Sequence, residues 1–156
     1  MKSSNTKPKT IMTLCILREG DRFLLGMKKI GFGSGQYNGY GGKLEPGETL
    51  EECIIREMKE ESGLDLLNFE KRGVMIFEFP DSFKEVHVYE GLSWAGDLVE
   101  SEEMTPFWFH LDDLPYEMMW PSDPMWYPYF LERESFEGKL LFDENRKVLS
   151  YTINKI

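Results

Sequence analysis

The chain is poor in several residue types that mark large functional classes. Among 156 residues there are only two cysteines, Cys15 and Cys53. They lie in apolar surroundings without a CxxC pattern, which reads as reduced core thiols and excludes a disulfide framework or a cysteine zinc site. Cationic charge is also scarce: 18 Lys and Arg face 28 Asp and Glu, a net charge of −10. Neutralising a nucleic-acid backbone needs a basic surface, so no polymeric DNA or RNA is expected as partner. A single nucleotide stays open, because a metal ion and one or two lysines can meet its phosphates. No apolar run approaches membrane-spanning length, and the opening MKSSNTKPKT lacks the apolar centre of a secretion signal. No membrane partner is expected, and the cytoplasm is the default. Repeats, linkers and low-complexity segments are missing as well.

What remains is the composition of one globular domain. Apolar residues make up 41% and charged residues 29%, both ordinary, whereas aromatics reach a high 14%. Residues 1–9 read as a flexible lead, with a single domain over 10–156. Strands are expected at Thr10–Leu17, a buried apolar run, and at Arg22–Met27, returning after Glu19-Gly20-Asp21. Further strands are expected at Leu64–Phe69, Gly73–Phe79, Glu85–Trp94 and Thr105–His110. Ser122-Asp123-Pro124 looks like a capped helix start, predicting a helix from Met125 to about Glu134. Residues 138–156 read as a hairpin turning at Asp143-Glu144-Asn145. His87 sits within strand alternation and reads as structural. The pattern predicts an α/β fold, a mixed β-sheet sandwiched between helices.

The richest stretch is Gly41–Leu64, GGKLEPGETLEECIIREMKEESGL. Two glycines and Pro46-Gly47 make a tight loop. Thr49 with Glu52 forms a capping box, and Gly63 marks the helix end. Glu57, Glu60 and Glu61 fall at i, i+3 and i+4, so their carboxylates share one patch and repel by about 0.2–0.5 kcal/mol per pair. Taken alone, such a run is a solvated face as readily as a metal site. Leu50, Ile54 and Met58, however, form the buried ridge, and Cys53, Glu57 and Glu61 the next one. That puts the glutamates at the margin of the core, where a cleft wall would lie. A hard divalent cation with oxygen ligands would reverse the repulsion.

Gly42, Glu48 and the run Arg56-Glu57-Met58-Lys59-Glu60-Glu61-Ser62-Gly63-Leu64, at these spacings, resemble a complete Nudix box. The resemblance implies the Nudix fold with its catalytic loop-helix-loop. It also implies hydrolysis of a nucleoside diphosphate linked to a further group, with Mg²⁺ (or Mn²⁺). GMKKIGFGSGQYNGYGGK upstream, ESEEM, and MWPSDPMWYP downstream extend the similarity to the MutT-like oxidised purine nucleoside triphosphatases of the mammalian type. Such a monomeric enzyme converts 8-oxo-dGTP and related nucleotides to the monophosphate and pyrophosphate.

The resemblance also implies site residues. Glu57, Glu60 and Glu61 would hold metal, with the carbonyls of Gly41 and Gly42 completing the shell. Glu103 would bind metal or orient water, and Arg56 would hold the glutamates in place. Lys28 and Lys43 are candidates for phosphate contacts. Asn38 would read the purine edge, although Asn38-Gly39 is equally a turn signal. Trp120 would stack on the base, with Phe32 and Tyr40 as walls, although Trp120 also suits a core. Asp123 would read the base edge, its pKa rising in an apolar pocket. Thr13, Gly41, Gly42, Pro121 and Ser122 complete the substrate set. The chain departs from the pattern where Ser122 stands in place of a first aspartate, and where Tyr37 and Tyr40 replace aromatics without a hydroxyl. The first puts the breadth of accepted purines in question; the second is a milder change. Another Nudix substrate (a dinucleotide, ADP-ribose or a methylated purine nucleotide) and a binding module without catalysis are the alternatives.

Overall fold

The computed structural model describes residues 7–31 and 33–156; residues 1–6 of the expected lead, and Phe32, lie outside the described residues. Lys7 and Pro8 already belong to the packed structure, Lys7 through an ion pair with Glu78 (2.6 Å) and Pro8 through its carbonyl, which accepts from Phe83 N. The strands are β1 (Lys9–Glu19), β2 (Arg22–Lys28), β3 (Tyr37–Asn38), β4 (Asp65–Glu78), β5 (Phe83–Ala95), β6 (Met104–His110), β7 (Phe136–Phe142) and β8 (Val148–Lys155). They make one mixed sheet in the order β3-β2-β1-β5-β4-β7-β8, with β6 also paired to β2. β1 runs parallel to β5 and β4 parallel to β7.

Strand alternation sends Leu14 and Ile16 to one face of the sheet, Cys15 and Leu17 to the other. The first face packs against α2 (Asp123–Leu131) through Trp126, Tyr127 and Phe130. The second packs against α1 (Leu50–Ser62) through Ile54 and Met58. The expected α/β sandwich is therefore present, with one helix on each face.

α1 forms where its local signals put it. Thr49 Oγ1 accepts from Glu52 N (3.1 Å), the Glu52 carboxylate accepts from Thr49 N (2.9 Å), and Gly63 closes the helix in the left-handed region at φ 80°.

Two expectations are corrected. The strands expected at Leu64–Phe69 and Gly73–Phe79 are one strand, β4, whose register shifts at Leu66–Asn68, Asn68–Phe69 and Lys71–Gly73 interrupt its alternation. α2 begins at Asp123 and stops at Leu131. Ser122 does not cap it: its backbone is helical (φ −79°, ψ −18°), so its hydroxyl makes no capping bond. Arg133, at φ 57°, turns the chain away soon after Pro128.

The feature that makes room for a site lies between β1 and β2. They pair directly only where Leu17–Glu19 meets Arg22–Leu24. Beyond that, the chain after β3 crosses from β2 to β1. Asn38 pairs with Gly26 of β2; Tyr40 then exchanges both backbone hydrogen bonds with Cys15, and Thr13 N donates to Gly42 O (2.9 Å). A Cβ on Gly41 would sit 2.0 Å from Thr13 O, and one on Gly42 2.3 Å from a Glu57 carboxylate oxygen. Only glycine lets the crossing strand lie this close to both β1 and α1.

Thr49→Ala removes half of the capping box and should lower unfolding free energy by about 1 kcal/mol, read by urea denaturation. An unchanged midpoint and slope would show that α1 is held by packing alone.

Candidate active site

α1 presents its glutamates across a cleft from the β5–β6 loop. Glu57, Glu60 and Glu61 form one wall, and Ser101, Glu102 and Glu103 the other. The loop is held by its own turn, in which Ser101 Oγ accepts from Met104 N (3.0 Å), and by Lys29, whose backbone N–H donates to Glu103 O (2.8 Å). Lys29 Nζ also donates to Ser101 O (2.8 Å) and pairs with the Glu100 carboxylate.

Arg56 is the main positive charge at this cluster. Its guanidinium reaches Glu48 (2.6 Å), Glu57 (2.5 Å) and Glu60 (3.2 Å), and donates to the Lys43 carbonyl (3.2 Å). The fork fixes Glu48 and Glu57 on either side of one planar group, as expected for a positioning residue. Arg56 beside it holds the Glu48 carboxyl down to about 2. Glu57 goes the other way: burial pushes its pKa up, partly offset by Arg56. Glu61 is more extreme, pushed up to about 8 by burial and then by Glu57, although it accepts Gly41 N–H (3.0 Å). Among the described residues no three carboxylates converge on one point. They are turned toward Arg56 and Gly41 instead. The Gly42 carbonyl is used by Thr13 N, so Gly42 ties the loop to β1.

Glu61 also lines a second space, the gap between β1 and β2. Its floor is apolar, with Met12, Leu14, Phe77, Val86, Met104 and Trp126, and Trp120 stands at its side. Trp120 stacks on Phe77 with ring centroids 6.5 Å apart and planes 21° from parallel. The polar lining is Thr13, Lys28, Asn38, Lys84, Glu61 and Asp123. Asp123 is 4% exposed. Its carboxylate accepts Trp120 N–H (3.1 Å) and Trp126 Nε1–H (3.0 Å), yet burial outweighs both donors and pushes its pKa from 3.8 up to about 7. Asn38 ends β3 and its Oδ1 accepts its neighbour Gly39 N (2.9 Å); the Asn38-Gly39 pair makes no turn, because the chain passes there from its pairing with Gly26 to the bridge between Tyr40 and Cys15.

The structure thus brings Thr13, Lys28, Asn38, Gly41, Gly42, Glu61, Trp120 and Asp123 to one pocket, and Glu57, Glu60, Glu61 and Glu103 to the adjoining cleft. Other expected residues lie elsewhere. Tyr40 is 1% exposed and packs in the core beneath α1, because its pairing with Cys15 turns it to that face. Tyr37 packs edge-on against Phe107 and Phe109, away from the pocket lining. Lys43 is exposed, and Pro121 lines a neighbouring groove with Gln36 and Arg146. Ser122 is fully buried, and its hydroxyl has no partner among the described residues. Sequence reasoning missed Phe77, Val86, Trp126 and Lys84. Period-two alternation along β4 and β5 could have put the first two on one face; Lys84 precedes the strand expected at Glu85–Trp94, whereas β5 begins at Phe83. His87 is a structural residue on β5, its Nε2 2.8 Å from Glu85.

The NUDIX domain model matches residues 7–130 of the chain. Over 148 residues the chain is 41% identical to a mouse protein named oxidized purine nucleoside triphosphate hydrolase, covering 94% of this chain and 95% of that one. A Danio rerio protein of the same name is 37% identical over 148 residues, with 94% and 95% covered. A solved MutT protein from Bacillus halodurans matches with a TM-score of 0.83 over 93% of this chain and 97% of that chain, at 24% identity, which is a likeness of fold.

Burial of Asp123 has a testable sign. Between 3.8 and about 7 the folded state keeps a proton that the unfolded chain has released, so this group disfavours folding increasingly as pH rises through that window. Asp123→Asn removes the titration. The stability of the variant relative to the unsubstituted protein should therefore rise from about pH 4 to about pH 7.5 in urea unfolding; a flat difference would refute the buried, proton-holding carboxyl.

Proposed function

The chain belongs to the NUDIX family, a family of hydrolases, and from that premise we propose that it hydrolyses oxidised purine nucleoside triphosphates to the monophosphate and pyrophosphate. The observation that carries this reading is that Glu61 lines both the apolar pocket and the acidic cleft. A nucleotide with its base between Trp120 and Asn38 would extend its phosphates past Glu61 into the acidic cleft. The names of the mouse and zebrafish relatives, which match along almost the whole chain, support the same substrate class.

NUDIX hydrolases work with a divalent cation. The residues present suit Mg²⁺, or Mn²⁺: Glu57, Glu60, Glu61 and Glu103 are hard oxygen donors, two of them with pKa values raised by burial and mutual repulsion, which a cation would relieve. Glu57, Glu60, Glu61 and Glu103, with the Gly41 carbonyl, would hold it. When bound, such a cation lowers the pKa of water and neutralises charge on the leaving pyrophosphate. The rest falls to the chain. Arg56 holds Glu48, Glu57 and Glu60 in register. A carboxylate of the cluster takes the proton of the attacking water as its oxygen bonds to phosphorus and the bridging P–O bond breaks. Lys28, which lines the pocket and is felt by Glu61, steadies the phosphates. Asn38, Asp123 and Trp120 hold the base. Both spaces are built from one chain, so a monomer suffices. The two buried free cysteines suit a reducing compartment such as the cytoplasm. Among the described residues no helix is long and apolar enough to cross a membrane.

Two measurements test the reading. kcat/KM for 8-oxo-dGTP and 2-hydroxy-dATP should exceed that for dGTP by about tenfold or more, the size of one well-placed base contact; equal values would sink the preference for oxidised bases. Glu61→Gln should lose about a hundredfold or more of Mg²⁺-dependent turnover while keeping its thermal midpoint. An unchanged rate would remove Glu61 from the machinery.

A further inference from the structure

The C-terminal end of α2 carries a residue that local geometry disfavours. Glu134 N donates to Tyr129 O (2.9 Å) and Arg133 N to Phe130 O (3.0 Å), the bond pair of a Schellman end in which Arg133 takes the left-handed position at φ 57°. Glycine is favoured there, because a Cβ is strained in that region. The arginine side chain explains its place. Its Nη2 donates to Glu90 Oε2 (3.0 Å) and its Nε to the same oxygen (3.2 Å). Glu90 is completely buried on β5, and Arg72 Nε holds its other oxygen (3.0 Å). Arg72 stands where β4 shifts register between Lys71 and Gly73, and its Nη1 donates to Glu70 (3.0 Å). A second tie reaches the same helix end: Arg18 Nη1, from β1, donates to Leu131 O (3.0 Å).

The other end of α2 is at the pocket. Asp123, its first residue, lines the pocket together with Val86 of β5. Val86, Val88 and Glu90 share one face of β5 by strand alternation, the face on which α2 packs. From Val86 to Glu90 the strand rises about 13 Å, and from Asp123 to Leu131 the helix rises about 12 Å. α2 therefore lies along β5, one end at the pocket and the other at Glu90. The helix has little of its own to hold it, with nine residues and Pro128 inside, which removes a backbone donor. We infer that Arg133, acting through Glu90, is a positioning residue for the base pocket. The ion pair pins the far end of α2 to β5 and so fixes Asp123, and Trp120 hydrogen-bonded to it, at the near end. This rests on the nucleotide-hydrolase reading above and extends it to a residue remote from the substrate. The glutamates of α1 lie on the opposite face of the sheet, so the clamp governs base binding and not bond breaking.

Arg133→Gly removes the guanidinium while suiting the left-handed backbone, so the helix end itself is spared. Amide hydrogen exchange reads the clamp without any ligand. The hydrogen-bonded amides of Trp120, Asp123 and Met125 should exchange about tenfold faster in the variant, while those of α1 keep their rates. KM for 8-oxo-dGTP and the Kd of the nucleoside 8-oxo-deoxyguanosine should each rise by about tenfold with kcat within about twofold, the pattern of lost ground-state binding. Arg133→Lys, which keeps the charge and loses the fork, should fall between the two proteins, and it carries the test if the glycine variant does not fold. Equal acceleration in α1 and α2 would make the ion pair a general stabiliser and overturn the proposal, as would a fall in kcat at constant KM or no change at all. Faster exchange confined to residues 120–125, in a protein that neither binds nor hydrolyses these compounds, would leave the clamp standing and remove the reading it rests on.

Discussion

The constraint on which the site depends is the close approach of the Gly41–Gly42 backbone to β1 on one side and to Glu57 on the other. The chain after β3 can join β1 only because no Cβ intervenes. Once it has joined, β1 and β2 are wedged apart, and the gap between them is the pocket. The same crossing brings Gly41 N–H onto the Glu61 carboxylate. A single steric condition therefore opens the apolar pocket and fixes one wall of the acidic cleft. The close packing also explains why the loop and helix behave as one unit. Gly42 is tied to β1 through Thr13 N and lies against Glu57, and Arg56 bridges from the Lys43 carbonyl to the helix glutamates.

Electrostatics then divides the carboxylates into two kinds. Glu48, on the Arg56 fork, is held firmly ionised. Glu57 and Glu61, deeper in the cleft, resist ionisation because burial opposes it, joined by the charges of Glu60 and Glu103 at Glu57 and of Glu57 and Glu103 at Glu61. Such a separation among neighbouring acids is the condition for them to play different parts, one anchoring and the others answering to a cation or to a proton. The arrangement is unstable as pure structure, since a cluster of buried like charges gains nothing for the fold. A site that exchanges protons or ligands is the economical account of why they stand together.

How much of this was legible depended on whether the signal was local. α1, its capping box and its terminal glycine follow from residues within a few positions of one another, and each was found where expected. The glutamate patch followed from helical spacing alone. The pocket did not, because sheet register assembles it: Phe77 and Lys84 become neighbours through the β4–β5 pairing, and Trp126 reaches the pocket only when α2 packs on the face that Leu14 and Ile16 present. Tyr40 shows the converse. The resemblance implied a pocket wall at Tyr40, but the bridge to Cys15 commits Tyr40 to the opposite face. β4 looked like two strands because a bulge breaks alternation as thoroughly as a loop does.

The first turn of α2 carries the last step. The Ser122 hydroxyl is buried without a partner among the described residues, and the Asp123 carboxylate reaches back to accept Trp120 N–H and across to accept Trp126 Nε1–H. Tyr127, packed in the same core, also has a buried hydroxyl without a partner among the described residues. The consequence for recognition is specific. At this corner the titratable side chain is Asp123, and Ser122 is buried outside the pocket lining. On the proposed function, where two adjacent carboxyls would share a proton to match different base edges, adaptation to the base would rest on the protonation of Asp123 alone at this corner. The pocket would then be narrower in what it accepts, and that narrowness would arise at the α2 corner rather than at the glutamate cluster.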